Sequence, residues 1–431
     1  MKRIRVTGKS TVAAAVPVQP GKTHEFTALD HAMSRHSVHL VFYYRQAPTL
    51  TLSKLKESLS DVLSYYPAMT GRLVKNEGDG CGEWIVKCND AGVRMVDARV
   101  DVTLDEFLAS ASDDEERQLA YLEDVESDPY LWSPFCIQFT QFKDGSMAVG
   151  ISCTHMHADP TSVGVFAKAW SDCHRRALIT SPPFFHPWAF CPRKNPVPSS
   201  PHLSVKSTSP PPLPSPAMSS ATFIFSASSV TQCLADMSLP DISPFDVLAS
   251  LLWLRISSYK NGGLGPAQLN VALDCRRRMS APLPSGFYGN ALHFFGVKAD
   301  LASGWGHVAS ELSRHMAGLE EEDVWSSVEW LHERRKEKAF QMYGPELTCL
   351  AWDNVPVYNT EIDVGVAPVH VTCHIGGAQG EGLVVVMAGP PGEGEHARTV
   401  VVTLPTDLTA KICQDDVILK YKPKIMFGTN I

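Results

Sequence analysis

Apolar residues recur at helical spacing early in the chain. Leu55, Leu59, Val62 and Leu63 fall on one side of a helical repeat, which predicts a helix that packs through this face. We expect the helix to end before Pro67, because the residue preceding a proline is disfavoured in the right-handed helical region.

Two strand-like apolar runs follow further along, Cys136–Phe142 and Met147–His155. The connection between them contains Asp144 and Gly145, a pair that suits the positive φ angles of a tight hairpin turn. The pattern therefore predicts two antiparallel neighbouring strands.

Helix-start signals appear together at Ser243, Pro244 and Asp246. A serine at the N-cap, a proline at the first helical position and a carboxylate in the first turn all complement unpaired N–H groups. We predict a buried helix that continues through Val247–Ser257.

The last part of the chain shows a second predicted strand pair. Leu383–Met387 and Thr399–Leu404 are apolar and short, and the Gly- and Glu-rich segment Gly389–His396 between them is expected to be an exposed loop. From Asp407 onward the pattern becomes helical.

A change of composition divides the chain. Between Asn195 and Pro216 the sequence is rich in Pro, Ser and Lys, which disfavours helix and sheet and predicts an extended linker. Short strands alternate with helical patterns on both sides, without an internal repeat. We therefore predict a mixed α/β fold with domains at residues 1–194 and 217–431.

Composition and charge exclude several classes of protein. The 431 residues are 44% apolar, enough for a large core, and 38 basic against 46 acidic side chains give a net charge of −8, which argues against a nucleic-acid partner. The longest helical apolar run, Phe245–Ile256, is shorter than the about 20 residues of a membrane span. The 11 cysteines lie singly, which favours reduced thiols and a cytoplasmic location.

The candidate chemistry lies at Cys153–Thr161, where a predicted strand ends and a helix begins. Because strand side chains alternate, His155 shares one apolar face with Met147, Ile151 and Cys153. An imidazole with an ordinary pKa of about 6.5 is mostly neutral at pH 7 and accepts protons from hydroxyls or amines. His155 is the candidate general base.

Two alternative roles for this histidine stay open from the residues alone. A single histidine on an apolar strand face is more often a hydrogen-bonded core residue. Residues 154–159 also resemble the HxHxDH run of zinc hydrolases, although Pro160 stands where the last histidine belongs. With that ligand missing, we expect no metal.

Asp159 is predicted to be architectural. It precedes Pro160, and the pair is typical of an N-cap and first helical residue, here leading into a helix that carries Phe166 and Trp170 on one face. Three arginines, Arg276–Arg278, follow the predicted strand Leu269–Leu273, and either bind a phosphate or pair with carboxylates such as Asp159.

Five segments, in order along the chain, resemble the motifs of the BAHD acyltransferases, plant enzymes that move an acyl group from a CoA thioester to an alcohol or amine. His155–Asp159 matches the family's HxxxD motif. The other four segments are Phe26–Asp30, Tyr65–Leu73 (YYPxxGR type), Asp274–Arg278 (DxRxR type) and Gly286–Asn290 (YFGN type).

This resemblance implies two chloramphenicol-acetyltransferase-like α/β domains with a tunnel between them, in which acyl-CoA and the acceptor meet His155. It further implies that His155 deprotonates the acceptor, that Asp159 pairs with an arginine, expected to be Arg276, and that Tyr288, Gly289 and Asn290 are structural supports. Trp352 is expected to contact substrate. Acyl-CoA would be a substrate or transient ligand rather than a bound cofactor.

The family's second signature, DFGWG, is degenerate. It aligns with Glu361–Gly365, where only the last glycine is kept, and Ala351 replaces the polar residue that often precedes the nearby Trp352. We expect Glu361 and Gly365 to be structural. A Glu-Ile version of this signature is similar to that of the eceriferum/glossy wax proteins, a branch whose members work with ketoacyl-CoA synthases at the endoplasmic reticulum.

Two functions therefore stay open. The first is assistance to very-long-chain acyl-CoA elongation for cuticular wax, with a ketoacyl-CoA synthase as partner at the cytosolic face of the endoplasmic reticulum. The second is free-standing acyl transfer to a small alcohol or amine, with His155 as the base. In both cases we expect a chain that is a monomer on its own.

Overall fold

The structure is a computed structural model that describes residues 3–47, 50–76, 83–123, 129–186, 190–194, 216–261, 265–334 and 340–428. The predicted linker, residues 195–216, lies outside the described residues except for Pro216.

The strands, numbered in chain order, are β1 (Ile4–Val12), β2 (Thr23–Glu25), β3 (Ser37–Tyr44), β4 (Arg72–Lys75), β5 (Trp84–Lys87), β6 (Val93–Val100), β7 (Phe135–Gln141), β8 (Met147–Thr154), β9 (Met218–Phe225), β10 (Pro266–Asp274), β11 (Leu292–Asp300), β12 (Thr348–Trp352), β13 (His370–Gly376), β14 (Leu383–Ala388), β15 (Arg398–Pro405) and β16 (Lys424–Met426).

The α-helices are α1 (Ala28–Ala32), α2 (Leu52–Leu63), α3 (Leu104–Ser110), α4 (Asp113–Arg117), α5 (Pro160–His174), α6 (Ala227–Met237), α7 (Pro244–Asn261), α8 (Trp305–Ala317), α9 (Glu321–Glu333), α10 (Thr406–Cys413) and α11 (Asp416–Leu419).

Two large sheets organise the molecule, as the predicted mixed α/β fold requires. The first has six strands in the order β1-β6-β7-β8-β3-β13, and the second has seven in the order β11-β10-β12-β14-β15-β9-β16. A third, smaller sheet has three strands in the order β2-β5-β4. Strands β7 and β8 are buried along nearly their whole length, because they lie in the middle of the first sheet.

The locally predicted elements are present. The helix α2 carries Leu55, Leu59, Val62 and Leu63 on its buried face. Strands β7 and β8 pair antiparallel, and Gly145 in their turn has a φ of 81°, a conformation that glycine adopts without strain.

The second-half predictions are also confirmed. At the start of α7, the Ser243 hydroxyl accepts from the Asp246 N–H at 3.1 Å, and the Asp246 carboxylate accepts from the Ser243 N–H at 3.0 Å. Strands β14 and β15 pair antiparallel, and the connecting residues Pro391–Glu393 are exposed.

One strand crosses the predicted domain division. Although β13 lies in the second half of the chain, it pairs antiparallel with β3 and completes the first sheet. The main apolar core is likewise shared, since it contains Ile151 of β8, Phe294 of β11 and Trp352 of β12. The site described below therefore lies where the two halves meet.

Within the described residues, no helix combines the length and apolar character needed to cross a bilayer.

Candidate functional site

His155 follows directly after β8 and is held by its backbone from two directions. Its N–H donates to the His36 carbonyl oxygen at 2.9 Å, and its carbonyl oxygen accepts from the side-chain amide of Asn290 at 2.8 Å. The backbone of His155 is therefore fixed between the residue that precedes β3 and a loop of the second half.

The imidazole itself is fully buried. Its exposed fraction is 0%, and its Nε2 atom lies 2.9 Å from the phenol oxygen of Tyr343, which is also 0% exposed. Burial lowers the pKa of His155 from its ordinary value, since a charged imidazolium is poorly solvated there. The side chain is therefore a neutral base at physiological pH.

This arrangement differs from the expected open tunnel at His155. Within the described residues the side chain is 0% exposed, and the phenol oxygen of Tyr343 occupies the position next to Nε2. The physical cause is tertiary: Tyr343 lies 188 residues away in sequence and reaches the site from the segment that precedes β12.

Asp159 has the position predicted for an N-cap. Its Oδ1 accepts from the Ser162 N–H at 2.8 Å at the start of α5. Its two oxygens also pair with Arg276 at 2.8 and 3.0 Å, and Oδ2 accepts from the Ala291 N–H at 3.0 Å. The expected contact with an arginine is present.

The charge of Asp159 is stabilised without solvent. Burial alone would raise the pKa of Asp159, but the Arg276 charge and hydrogen bonds, with the Ser162 and Ala291 N–H groups, hold it below its ordinary value. A carboxylate with this many donors has no free capacity to exchange protons with a substrate, so the geometry supports the architectural role.

Arg276 connects several segments. Besides Asp159, its guanidinium contacts Asp274 at 2.9 Å, the Ser162 hydroxyl at 2.9 Å and the Gly289 carbonyl oxygen at 3.0 Å. Arg277 and Arg278 are exposed instead. Only the first of the three arginines therefore belongs to the site.

The Gly286–Asn290 segment surrounds this ion pair. Asn290 donates from its backbone and its side chain to Asp30, at 2.9 and 2.8 Å. Gly289 has a φ of 131°, which favours glycine. The Tyr288 ring packs against the rings of Tyr66 and Phe185.

Trp352 lies between the halves rather than in an open cavity. It is 2% exposed, and its Nε1–H donates to the Thr161 hydroxyl at 3.3 Å, which links β12 to the first turn of α5. The structure therefore gives it a bridging contact, and its expected contact with substrate stays a prediction.

Glu361 and Gly365 lie away from His155. The Glu361 carbonyl oxygen accepts from the Ser171 hydroxyl of α5. Ser171 is 12 residues along the helix from Asp159, a distance of about 18 Å at a rise of about 1.5 Å per residue. The Glu361 carboxylate is 37% exposed and lies 3.6 Å from Arg175. Gly365, with a φ of 76°, lies in an exposed turn.

The zinc-type interpretation finds no partner cluster. His157 is buried, its Nδ1 contacts the Thr154 hydroxyl, and its ring packs edge-on against Phe26 and Phe135. Burial lowers the pKa of His157 to about 3. Across the described ranges, no group of three or more His, Cys, Asp or Glu side chains is placed to hold a metal ion.

The contributors that were not predicted include Tyr343, Ser162 and the role of Asp30. A sequence signal existed for Asp30, because Thr27 and Asp30 form a capping box at α1, a spacing that marks a helix start. Ser162 lies inside a helix start and carries no separate signal. Tyr343 lies in a short segment without periodicity, so nothing local indicates its contact.

The chain matches the model of the Transferase family over residues 2–417. It is 26% identical over 415 residues to the Protein ECERIFERUM 26-like of Arabidopsis thaliana, covering 94% of this chain and 93% of that protein. It is 28% identical over 423 residues to the Hydroxycinnamoyltransferase of Narcissus pseudonarcissus, covering 90% and 94%.

The fold has close counterparts among solved structures. Vinorine synthase superposes with a TM-score of 0.75 at 19% identity, covering 94% of this chain and 96% of that one. The F. sporotrichioides TRI101 complexed with coenzyme A and T-2 gives a TM-score of 0.73 at 16% identity, covering 94% and 100%. The match to the family model spans nearly the whole sequence, and we conclude that the chain belongs to the BAHD acyltransferases of the Transferase family.

Proposed function

We propose that this chain binds acyl-CoA and assists a ketoacyl-CoA synthase in extending very-long-chain acyl-CoAs, the precursors of cuticular wax. The observation that carries the proposal is the closed state of His155. Hydrogen bonds to His36 and Asn290 hold the backbone of His155 in place, yet its side chain is 0% exposed. The residues that position His155 are present, but the imidazole is closed to an acceptor. This combination favours binding of acyl-CoA over catalytic turnover.

Two comparisons support the ligand and the pathway. The TRI101 structure with the same fold is described as a complex with coenzyme A, and this chain would hold acyl-CoA as a transient ligand. The relative named Protein ECERIFERUM 26-like agrees with the degenerate second signature. A synthase partner would place the chain, otherwise a cytoplasmic monomer, at the cytosolic face of the endoplasmic reticulum.

A second candidate is free-standing acyl transfer. The lowered pKa of His155, caused mainly by burial, keeps the imidazole in the form a general base requires, and one relative is named Hydroxycinnamoyltransferase. In this mechanism His155 takes the acceptor's proton, the acceptor oxygen or nitrogen attacks the thioester carbonyl, and the CoA thiolate leaves.

Replacing His155 separates the two candidates. We expect His155→Ala to abolish acyl transfer to small acceptors, because a general base contributes on the order of 10²–10⁴ in rate. Elongation with a co-expressed ketoacyl-CoA synthase should persist, because assistance by binding depends on shape and contact surface. The measurement is fatty-acid chain-length profiling of the co-expressing cells.

His157→Ala is the matched control, since His157 is a buried histidine two positions away whose Nδ1 contacts the Thr154 hydroxyl. Circular dichroism establishes that both variants are folded. If His155→Ala alone removes elongation from a folded protein, elongation needs the acyltransferase chemistry and the assistance role is wrong. If wild-type protein fails to bind acyl-CoA in calorimetry, both candidates fail.

A further inference from the structure

The atom of His155 that would accept a proton is already bonded to a hydroxyl of the same chain. The Tyr343 phenol oxygen lies 2.9 Å from His155 Nε2, the distance expected for a base and the hydroxyl it activates. When Nε2 carries no proton, the phenol donates to it. Tyr343 therefore stands where an acceptor alcohol would stand.

The tyrosine is held in this position from several sides. Its ring meets Phe294 with centroids 5.4 Å apart at 74° and His36 with centroids 5.0 Å apart at 89°, both edge-on arrangements that aromatic pairs favour. Its carbonyl oxygen accepts from the Gln341 side-chain amide and the Gln379 N–H, each at 3.2 Å. The contact with His155 is thus part of an ordered environment.

We propose that Tyr343 occupies the acceptor site and decides which hydroxyl can reach His155. This inference rests on the proposed binding of acyl-CoA. It adds that the Tyr343 side chain keeps His155 from catalysing acyl transfer. Removing the tyrosine ring leaves a space of phenol shape beside a neutral base. The acceptor class that fits this space is a small planar phenol.

The reaction that such a phenol would undergo balances without another reactant. His155 Nε2 takes the phenolic proton, the phenol oxygen attacks the thioester carbonyl, and the carbon–sulfur bond breaks. The CoA thiolate then takes the proton from the imidazolium. The products are a phenyl ester and free CoA thiol, and His155 returns to its neutral form.

The experiment uses the full chain carrying Tyr343→Ala with acyl-CoA and added phenol. We expect free CoA thiol and phenyl ester to form on the order of 10² times faster than with wild-type protein, the scale of one general base. Added ethanol should give a much smaller increase, because it leaves the space unfilled. Adding His155→Ala to Tyr343→Ala should abolish the gain.

Tyr358→Ala is the matched control. Tyr358 is another buried tyrosine, and its hydroxyl accepts from the Val371 N–H at 3.3 Å, so its loss also leaves a cavity but not beside His155. Phenol should not raise CoA release in that variant. An equal gain in both variants would overturn the proposal.

The failures of the two proposals are distinguishable. If folded Tyr343→Ala binds acyl-CoA in calorimetry but does not acylate phenol, the acceptor-site assignment is wrong while acyl-CoA binding stands. If Tyr343→Ala does not fold, Tyr343→Leu replaces it, since it removes the hydroxyl and part of the ring but keeps an apolar group against Phe294. Tyr343→Leu should then raise CoA release with added methanol severalfold, and an unchanged rate would overturn the proposal.

Discussion

At the scale of single residues, Asp159 is a buried carboxylate whose charge is matched by a buried guanidinium. Its side chain is 0% exposed and that of Arg276 is 6% exposed. The same carboxylate caps α5 and accepts from Ala291. One side chain therefore fixes a helix start, a loop of the second half and, through them, the backbone next to His155.

We expect Asp159→Asn to lower the free energy of unfolding by about 3–5 kcal/mol, the usual cost of leaving a buried charge without its partner. Asparagine keeps the shape of the side chain and the capping oxygen, so the lost stability measures the contribution of the Asp159 charge. The measurement is urea unfolding followed by circular dichroism.

Asp274→Asn is the control for this prediction. Asp274 bonds the same guanidinium but is 22% exposed, so its neutralisation should cost less because solvent screens the remaining charge. Equal losses for the two variants would mean that Asp159 has no special part in balancing Arg276.

At the scale of elements, β13 and α4 are joined by a second buried ion pair. His374 of β13 bonds the carboxylate of Glu116 of α4, and Glu116 also accepts from Tyr43 and Thr372. Burial opposes both charges, but the mutual attraction raises the pKa of His374 and, with these donors, lowers the pKa of Glu116 to about 2.

The two pKa shifts set a pH window for stability. The His374 contribution is complete below its unfolded pKa of about 6.5 and is lost as pH rises through its raised folded pKa. The Glu116 contribution is present above its unfolded pKa of about 4.3 and is lost as pH falls toward about 2. The pair therefore stabilises most between these two unfolded values.

The stability of wild-type protein should fall from pH 6 to pH 9, in part because the His374 contribution is lost. We expect the double variant Glu116→Gln with His374→Gln to show a smaller fall over the same range. Each unit by which the pKa of His374 is raised contributes about 1.4 kcal/mol. The measurement is the urea midpoint of both proteins at several pH values. The other histidines are common to both proteins, so their effect cancels in the difference. Identical pH slopes would show that the pair does not titrate as described.

At the scale of the whole molecule, the two halves share a strand, an ion pair and a core. The strand β13 completes the sheet of the first half, and Arg276 of the second half bonds Asp159 of the first. Trp352 and Ile151 belong to one apolar cluster. Neither half can separate without exposing these groups.

We therefore expect one cooperative unfolding transition. Cys136 of β7 and Cys349 of β12 are 0% and 1% exposed, and each reports on one half. Thiol labelling at increasing urea, with the labelled peptides identified by mass spectrometry, should give the same midpoint for both. Labelling of Cys349 well before Cys136 would show that the halves unfold separately.

The sequence by itself determined the local structure. Helix α2, the β7–β8 hairpin and the start of α7 depend on spacing, turn residues and caps within a few neighbouring positions. The N-cap position of Asp159 could also be predicted from a local signal, because Pro160 follows it directly. The order of the five motifs indicated the family.

Only the tertiary structure decided the long-range pairings. The residues alone leave three adjacent arginines equivalent, and only the family resemblance pointed to Arg276; the fold gives the physical reason, because Arg276 alone of the three is buried beside Asp159. The crossing of β13 and the contact of Tyr343 with His155 join positions far apart in the chain. Such contacts depend on how whole elements pack, which no local pattern of residues encodes.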